Sequence, residues 1–484
     1  MALKEQAYLV VDIGTGNVRV ALAKPNGEII SIERENLQYH KDNNYPEALY
    51  FEPDTLWLQI QRLAKAVLVH SGGYEVEAIT STSQREGIVL VGKSGKSLIG
   101  LPNIDHRGRE WENLIEDKTD VYKLTGRYPT SLFSALKVVG IRNKRPEIWS
   151  DFSTFMSISD WVEYMFSGIF HYEHSQASET LLYDVEGKKW SDHLCSIFSL
   201  NLEDLPNLTH SGSILGKIKP DVASLFNISS EAVVIVGGAD TQLAVKSTQP
   251  SEADVVIVSG TTTPIIKLTK SYELDEQQRT WTGRHIDEDS FMLEANAGVT
   301  GLNYQRLKEV FYPNESYDVI EEEVNALDCF QCVASLGSLL ADEKTPLTRG
   351  GFLFDAPVSH QLSRGSFVWA TLWDIACSIK ENYNSLCNVT SHNRDYIWAC
   401  GGGVQSKTLR QFIANLLGKK IIICDSYRQS SVVGGVFICN DALGKTQPER
   451  EILETVYPQD KEEDKINYLE WKKTRSSFRT LLNH

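Results

Sequence analysis

Two segments of this chain, residues 8–22 and 254–268, share one local pattern: an apolar strand, a Gly-Thr turn and a second apolar strand. Valine, isoleucine and leucine crowd both flanks of each turn, so each segment predicts a buried hairpin whose turn backbone can be approached closely. A Gly/Thr turn presents N–H groups and hydroxyls that can hold a phosphate. The recurrence predicts a duplicated domain with a phosphate-bearing ligand clamped between the copies.

The length and charge of the chain limit its function classes. A chain of 484 residues is too long for one core, and the repeat favours two large domains over the three that length alone suggests. The net charge of −16 opposes binding to nucleic acid or to an anionic membrane, and an anionic substrate such as ATP would need local donors and a metal ion. No apolar run approaches the roughly 20 residues that cross a bilayer. We therefore expect a cytoplasmic protein without nucleic-acid or membrane partners.

The order of strand-like and helical patterns suggests where the two domains meet. Gln249-Pro250 is a natural boundary directly before the second hairpin, which predicts domains over 1–247 and 248–484. The end of the chain is rich in charge, and Trp471 and Leu469 are its only strong apolar anchors. It is expected to form a peripheral, partly helical segment.

Hydrophobic periodicity predicts the individual elements. Asp54 is the expected N-cap of the first helix. Strands are predicted at 8–13, 17–23, 78–83, 87–91, 255–268 and 395–400, and helices at 54–70, 107–116, 159–167, 298–311, 371–386 and 406–417.

A polar pair, Arg85-Glu86, follows the third of these strands within the run Ser83-Gln84-Arg85-Glu86-Gly87. One interpretation is an exposed turn pair. The other is a ligand site, because a guanidinium and a carboxylate can bind vicinal hydroxyls as donor and acceptor. Asp105, one hairpin later, would supply a further polar contact.

Asp240 follows a buried strand and two glycines, Gly237 and Gly238. A carboxylate at the carboxyl end of such a strand lies where open α/β sheets bind ligands. It either caps the following helix, as aspartate often does, or accepts the proton of a substrate hydroxyl that attacks a γ-phosphate. The flanking glycines favour catalysis, since they let a substrate approach.

Three consecutive glycines, Gly401 to Gly403, lie between a strand and a helix that begins near Ser406. Glycines here allow a ligand against the backbone and leave the helix N-terminus free for a phosphate or an adenosine group. The pattern also fits a simple tight turn.

Together these residues resemble the FGGY carbohydrate kinases of the actin-like ATPase superfamily, from about residue 7 to about 445. The resemblance implies an α/β fold of two duplicated actin-like (ribonuclease H-like) ATPase domains with an interdomain active-site cleft. It also implies a phosphotransferase with an alcohol acceptor, which uses ATP and Mg²⁺ on a small sugar or polyol. Dimers are common in this class, so a homodimer is expected among its partners. The implied roles are Asp240 as general base; Asp12 and Asp240 as metal ligands; Gln84, Arg85, Glu86, Asp105, Asp240 and Gln242 as substrate ligands; and Gly14, Thr15, Gly16, Asn17, Arg19, Gly260, Thr261, Gly301, Gln305, Gly402 and Gly403 as nucleotide ligands.

Within the family, Arg85-Glu86 is similar to glycerol kinases and autoinducer-2 kinases, whereas xylulose kinases usually show Met-His-Gly. The strings at 85–90, 103–105, 158–161 and 240–243 look most like autoinducer-2 kinases. They imply phosphorylation of a primary hydroxyl on a short linear polyhydroxy-ketone.

The chain also departs from the family pattern. Gly140 stands where tryptophan is usual, Gln429 stands where an acid is usual, and the segment from Arg364 to Ala370 lacks the expected second glycine. Two alternatives therefore stay open: an actin-like ATPase without sugar kinase activity, and a catalytically weak sensor of a sugar phosphate.

Overall fold

The computed structural model describes residues 5–45, 47–69, 72–327, 330–341, 347 and 349–482. The elements of the first half are β1 (Glu5–Ile13), β2 (Asn17–Ala23), β3 (Ile29–Asn36), β4 (His40–Lys41), β5 (Leu49–Tyr50), α1 (Pro53–Leu68), β6 (Tyr74–Ser83), β7 (Ile88–Gly92), β8 (Ser97–Leu101), α2 (Lys118–Thr125), α3 (Ser134–Lys144), α4 (Pro146–Trp149), β9 (Phe152–Ser157), α5 (Ile158–Ser167), β10 (Tyr172–Glu173), α6 (His174–Ala177), β11 (Tyr183–Asp184), β12 (Lys189–Trp190), α7 (Asp192–Ile197), β13 (Leu208–Thr209), β14 (Ile214–Lys217), α8 (Pro220–Phe226), β15 (Val233–Ala239) and α9 (Asp240–Ser247).

The second half continues the α/β pattern. Its elements are β16 (Val255–Val258), β17 (Thr262–Thr269), β18 (Trp281–Arg284), β19 (Phe291–Val299), α10 (Gly301–Phe311), α11 (Tyr317–Asn325), β20 (Cys332–Ser335), β21 (Gly351–Phe354), α12 (Arg364–Val389), β22 (Tyr396–Cys400), α13 (Lys407–Leu417), β23 (Lys420–Cys424), α14 (Ser430–Ala442), β24 (Ile452–Val456) and α15 (Glu462–Leu482).

Two central sheets repeat the same topology in the described part of the chain. The first has the order β14-β15-β6-β1-β2-β3, and the second the order β18-β19-β17-β16-β22-β23-β24. In each sheet, a meander of three antiparallel strands continues into two parallel strands: β3-β2-β1 into β6 and β15, and β19-β17-β16 into β22 and β23. The predicted duplication of an α/β unit is confirmed, and so are both Gly-Thr hairpins.

Apolar patterning accounts for these elements. Residues 7–13 of β1 are all buried, as expected for a central strand covered on both faces. Helix α1 buries Leu56, Ile60, Leu63 and Val67 on one face. Asp54 is not its N-cap: Glu52 holds that position and Pro53 is the first helical residue, since the fixed φ of proline suits this place.

Other predicted bounds differ from the structure for identifiable reasons. The predicted helix at 107–116 is a short 3₁₀ helix, Arg109–Leu114. The predicted helix at 298–311 begins only at Gly301, because pairing with β17 extends β19 to Val299. The predicted helix at 371–386 covers only the middle of α12. Residue 70, the predicted end of the first helix, lies outside the described residues.

A crossing of α9 and α14 joins the two halves. Helix α14, from the second half, packs Val432, Val436 and Phe437 into a cluster with residues of the first sheet. A Cβ on Gly434 would lie 2.0 Å from the carbonyl oxygen of Leu243 on α9. The two helices therefore approach each other in backbone contact, which ties the second half of the chain to the first.

Helix α15 is anchored differently from the prediction. Trp471 is fully buried and its Nε1 donates to Asp374 Oδ1 at 2.7 Å, as expected of an anchor. Leu469 is 58% exposed and is not an anchor, because it lies on the solvent face of the helix. None of the helices described here is long and apolar enough to cross a membrane.

Candidate active site

The two Gly-Thr turns have open space in front of their backbones. Gly14 and Thr15 are partly exposed, and Gly16, Gly260 and Thr261 are exposed. A Cβ on Gly16 would meet nothing within 4 Å, and one on Gly14 or Gly260 would meet only a carbonyl oxygen at 3.7 or 3.8 Å. Packing does not demand these glycines. The N–H groups of Gly14 and Gly260 close the turns onto the carbonyl oxygens of Asn17 and Thr262, and a ligand can approach the remaining backbone of each turn directly.

Asp12, at the end of β1, is fully buried and has one free oxygen. Its Oδ2 accepts from Arg19 Nη2 and from Ser431 Oγ, both at 2.5 Å. Its Oδ1 is buried without a hydrogen-bond partner. A buried carboxylate oxygen without a partner is costly, and a hard cation such as Mg²⁺ would satisfy it.

Asp240 is the first residue of α9 and is partly exposed. The N-cap is Ala239, so the interpretation of Asp240 as the cap is wrong; its Oδ1 accepts instead from the N–H of Thr241 at 2.6 Å. Burial raises the pKa of Asp240 to about 6; the positive charge of Arg85 opposes this rise and the negative charge of Asp12 adds to it. Asp12, Arg85 and Asp240 thus influence one another electrostatically.

A bulge in β15 directs the chain into Asp240. Val236 and Gly237 lie opposite the single residue Ser81 of β6, and a Cβ on Gly237 would lie 1.8 Å from the Ser81 carbonyl oxygen. One oxygen of Glu163, Oε1, accepts from the N–H of Ser81 at 3.2 Å and from that of Gly237 at 2.9 Å. The carboxylate therefore satisfies two N–H groups beside the bulge.

Glu163 belongs to a buried group with Asp160 and His171. His171 Nε2 lies 2.9 Å from Glu163 Oε2 and 3.3 Å from Asp160 Oδ1. Burial disfavours the charged imidazole, but bonds to both carboxylates raise the pKa of His171 to about 10. The charged imidazole thus pairs with both buried carboxylates, and this group supports the strand leading to Asp240.

Arg85 and Glu86 lie at the carboxyl end of β6. Glu86 has a φ of 59°, a left-handed conformation that is unusual for glutamate and often marks a functional position. Among the described residues its carboxylate forms no hydrogen bond or salt bridge. Burial and the charge of Glu179 raise the pKa of Glu86 to about 8.

Glu294, on β19 of the second half, is a site residue that the sequence prediction missed. Arg85 donates through Nη1 to Glu294 Oε2 at 2.5 Å and through Nη2 to Oε1 at 3.0 Å. Both side chains are buried. A charged residue within the apolar run Phe291-Met-Leu-Glu-Ala was the available signal, since a buried acid on a strand needs a partner.

Lys137 fixes the loops that carry the acceptor-side candidates Glu86 and Asp105. Its buried ammonium donates to the carbonyl oxygens of Glu86 at 3.0 Å, Pro102 at 2.7 Å and Asn103 at 3.3 Å. All three donors are therefore used, and burial lowers the pKa of Lys137 to about 8. The lysine connects the Glu86 turn to the loop before Asp105.

The remaining acceptor-side candidates differ in how far their side chains are already hydrogen-bonded to protein. Gln84 links the loops, since its Oε1 accepts from Asn103 N at 2.9 Å and its Nε2 donates to Gly14 O at 3.4 Å. Asp105 is fully buried, and its oxygens accept from Leu49 N and Arg107 Nε. Gln242 is buried on α9 with Oε1 unpaired.

The nucleotide-side candidates of the second half differ in how tightly they pack against the residues that follow β16. Gly301 packs against the Gly260 carbonyl oxygen, which a Cβ would approach to 2.1 Å, and Gly403 packs against Ser259 Oγ at the same distance. These two glycines are therefore required by packing. Gly402 is exposed with open space around it, and Gln305 is exposed on α10.

Family models identify the chain. The N-terminal domain model of the FGGY family of carbohydrate kinases matches residues 7–246, and the C-terminal domain model matches residues 337–443. This chain belongs to the FGGY family of carbohydrate kinases. FGGY carbohydrate kinases are sugar phosphotransferases, and kinases of this family use ATP.

Individual relatives agree with this membership. This FGGY kinase is 49% identical to "Putative sugar kinase YoaC" of Bacillus subtilis (strain 168), over 98% of each chain. It is 26% identical to an autoinducer-2 kinase of Escherichia coli (strain K12), over 65% of this chain and 61% of that one.

Solved structures share the fold. A glycerol kinase of Plasmodium falciparum with ADP has a TM-score of 0.84 at 18% identity, with 98% of each chain covered. A ligand-bound xylulose kinase of Lactobacillus acidophilus has a TM-score of 0.82 at 16% identity, with 99% of this chain and 98% of that one covered.

Local contacts explain two departures of this kinase from the family pattern. A Cβ on Gly140 would lie 2.8 Å from Arg107 Cγ, so the arginine fills the space beside this position. Gln429 Oε1 accepts from Arg19 Nη1 at 3.1 Å. The amide therefore still provides an acceptor for Arg19, without the charge of an acid.

Proposed function

We propose that this chain transfers the γ-phosphate of ATP to a hydroxyl of a small sugar, ketose or polyol, in a cleft between domains 1–247 and 248–484. The observation that carries the proposal is the alignment of three strand ends, since Asp12 on β1 and Gly238 on β15 both pair with Thr82 on β6. This register brings Asp12, Asp240 and the pair Arg85-Glu86 to one edge of the first sheet. An acid with a pKa of about 6 thus shares this edge with a carboxylate suited to a cation and with a pair suited to hydroxyls.

Asp240 acts as the general base in this proposal. It is ionised at neutral pH, and its raised pKa makes it a better proton acceptor than an ordinary aspartate. Its partly exposed carboxylate would take the proton of the acceptor hydroxyl as the oxygen attacks the phosphorus.

The phosphate side is assigned to the two Gly-Thr turns. Gly14, Thr15, Gly16, Asn17 and Arg19 would bind from the first domain, and Gly260, Thr261, Gly301, Gln305, Gly402 and Gly403 from the second. The open backbone in front of Gly16, Gly260 and Gly402 supports this assignment.

Asp12 and Asp240 would hold Mg²⁺. A bound Mg²⁺ would neutralise part of the negative charge of the phosphates. The unpartnered Oδ1 of Asp12 supports this role. Arg19, on the other oxygen, keeps the carboxylate in place.

The acceptor is proposed to be a short linear polyhydroxy-ketone that resembles the autoinducer-2 precursor, with phosphorylation at a primary hydroxyl. Arg85 and Glu86 support this choice, together with the relatives named as autoinducer-2 kinases. Membership in a carbohydrate kinase family speaks against an ATPase without an acceptor.

The substrate contacts of Arg85 and Glu86 can be tested by kinetics. Arg85→Ala and Glu86→Gln should raise the acceptor KM at least about tenfold and change the KM for ATP little, since their contacts precede the transition state. Arg109→Ala, at an arginine whose side chain is 56% exposed, is the matched control and should leave both constants unchanged. An unchanged acceptor KM in both site variants would contradict the placement.

A further inference from the structure

We propose that Glu294 restricts the acceptor to uncharged polyols and ketoses and excludes sugar acids. Its carboxylate pairs with Arg85, the cation that would otherwise bind the carboxylate of a sugar acid. The inference rests on the proposed function, since it concerns the acceptor side of the same cleft. It begins from the fork-to-fork contact of Glu294 with Arg85, in which both amino groups of the guanidinium are taken. Such two-bond pairs are the form in which arginine also recognises carboxylate ligands.

The Glu294 carboxylate is itself fixed in place. Asn296 Nδ2 donates to its Oε1 at 3.0 Å, and the residue is only 2% exposed. Because β19 pairs with β17 through this region, the carboxylate is held by a central strand and not by a loop. Arg85, 8% exposed, therefore faces a permanent partner from the other half of the protein.

The neighbouring cations are occupied as well. Arg127 binds Glu179 through Nε at 2.9 Å and through Nη2 at 2.6 Å. Its Nη1 makes no hydrogen bond, but it is enclosed by protein. The ammonium group of Lys137 donates all three of its hydrogen bonds to backbone carbonyl oxygens. A carboxylate ligand would find no accessible cation among these three residues.

The groups that remain open to an acceptor are carboxylates. In the described part of the chain, Glu86 has no side-chain partner, and Asp240 bonds only to its neighbour Thr241. Both carboxyl groups can form hydrogen bonds with the hydroxyls of an acceptor, and neither supplies the positive charge that a carboxylate ligand would need. The Nε–H of Arg85, which Glu294 does not use, can still donate to a neutral hydroxyl. These side chains therefore match a polyhydroxy compound and offer an anionic ligand no compensating positive charge.

The test compares acceptors of equal length that differ at one end, a pentitol against the pentonate and a hexitol against the hexonate, together with a ketose. For the wild-type protein, kcat/KM should be at least about 100-fold lower for each acid, since a site built for hydroxyls strongly rejects a mismatched polar group. Glu294→Gln keeps the shape of the side chain but leaves the charge of Arg85 without its ionic partner. The ratio of kcat/KM for the acid to kcat/KM for the polyol should therefore rise at least about tenfold. Glu288→Gln, at a glutamate whose side chain is 65% exposed, removes one charge elsewhere and should leave the ratio unchanged.

The outcomes separate this inference from the proposed function. Transfer to acids and polyols at equal efficiency by the wild-type protein overturns the inference alone, and it needs no variant to fold. A ratio that is unchanged in folded Glu294→Gln also overturns it. If no acceptor of either class is phosphorylated, the proposed function fails and the inference fails with it.

Discussion

Replacement of Asp240 by asparagine is expected to stabilise this protein while it removes activity. In the folded protein burial raises the pKa of the carboxyl to about 6, against its ordinary value of 3.8. Between these values the folded state binds more protons than the unfolded state, so stability falls as pH rises through this window. Well above pH 6 this decrease in stability is complete. The pKa shift of Asp240 corresponds to a difference of about 3 kcal/mol in the free energy of unfolding.

Asparagine has nearly the same shape but carries no charge. At pH 7.5 the free energy of unfolding of Asp240→Asn should therefore exceed that of the wild type by up to about 3 kcal/mol. For a unit of about 250 residues this raises the thermal unfolding temperature by up to about 6 °C. Turnover should fall by about 10²- to 10⁴-fold, the usual value of general-base assistance.

Thermal unfolding followed by circular dichroism, at several pH values from 7.5 down to 4, measures the stability difference. The gain should shrink as pH falls, because the wild-type carboxyl becomes neutral as well. Asp355→Asn, at an exposed aspartate, is the matched control and should show no gain. A variant that is no more stable at pH 7.5, or equally stabilised at every pH, would refute the reasoning, and near-normal turnover would remove Asp240 from the role of base.

Four further outcomes are expected. Lys137→Met, which leaves three loop carbonyls without their donor, should raise the acceptor KM at least about tenfold with little effect on the KM for ATP; an equal rise in both constants would speak against a local role. Glu163→Gln should lower kcat about tenfold or more without a matching rise in either KM, and a pure KM effect in steady-state kinetics would disprove its support of the Asp240 strand. Gly434→Ala should lower the unfolding temperature by several degrees, whereas Gly73→Ala, with open space around it, should not. The acidic limb of the kcat/KM profile should have its midpoint near the pKa of Asp240, about 6; a midpoint near 4 would contradict the burial of that carboxyl.

Much of the fold followed from local sequence. The two hairpins were predictable because each combines strand propensity, a turn signal and burial within about 15 residues. Helix ends were less predictable where a neighbouring element decided them. Glu52 and not Asp54 is the N-cap of α1, because the helix begins at Pro53. Strand β19 extends to Val299 because it pairs with β17.

The site was predictable only in part, for the same reason. Asp12 lies near the end of one buried strand and Asp240 follows another, each beside glycines, so their place at the sheet edge can be inferred from sequence. The pairing of Arg85 with Glu294 joins residues 209 positions apart, and no local pattern indicates it. Asp105, predicted to contact the acceptor, is fully buried with both oxygens bonded to protein, which only the folded loop reveals.

The central claim is that this protein, with Asp240 as general base, transfers the γ-phosphate of ATP to a hydroxyl acceptor and not to water. The most direct measurement is ADP release with identification of the phosphorylated product, over polyols and ketoses of three to six carbons and the autoinducer-2 precursor. The account predicts that at least one neutral acceptor accelerates ADP release, with one phosphorylated product for each ADP, and that Asp240→Asn abolishes this acceleration while it still binds ATP. ATP hydrolysis that is indifferent to every acceptor would contradict the account.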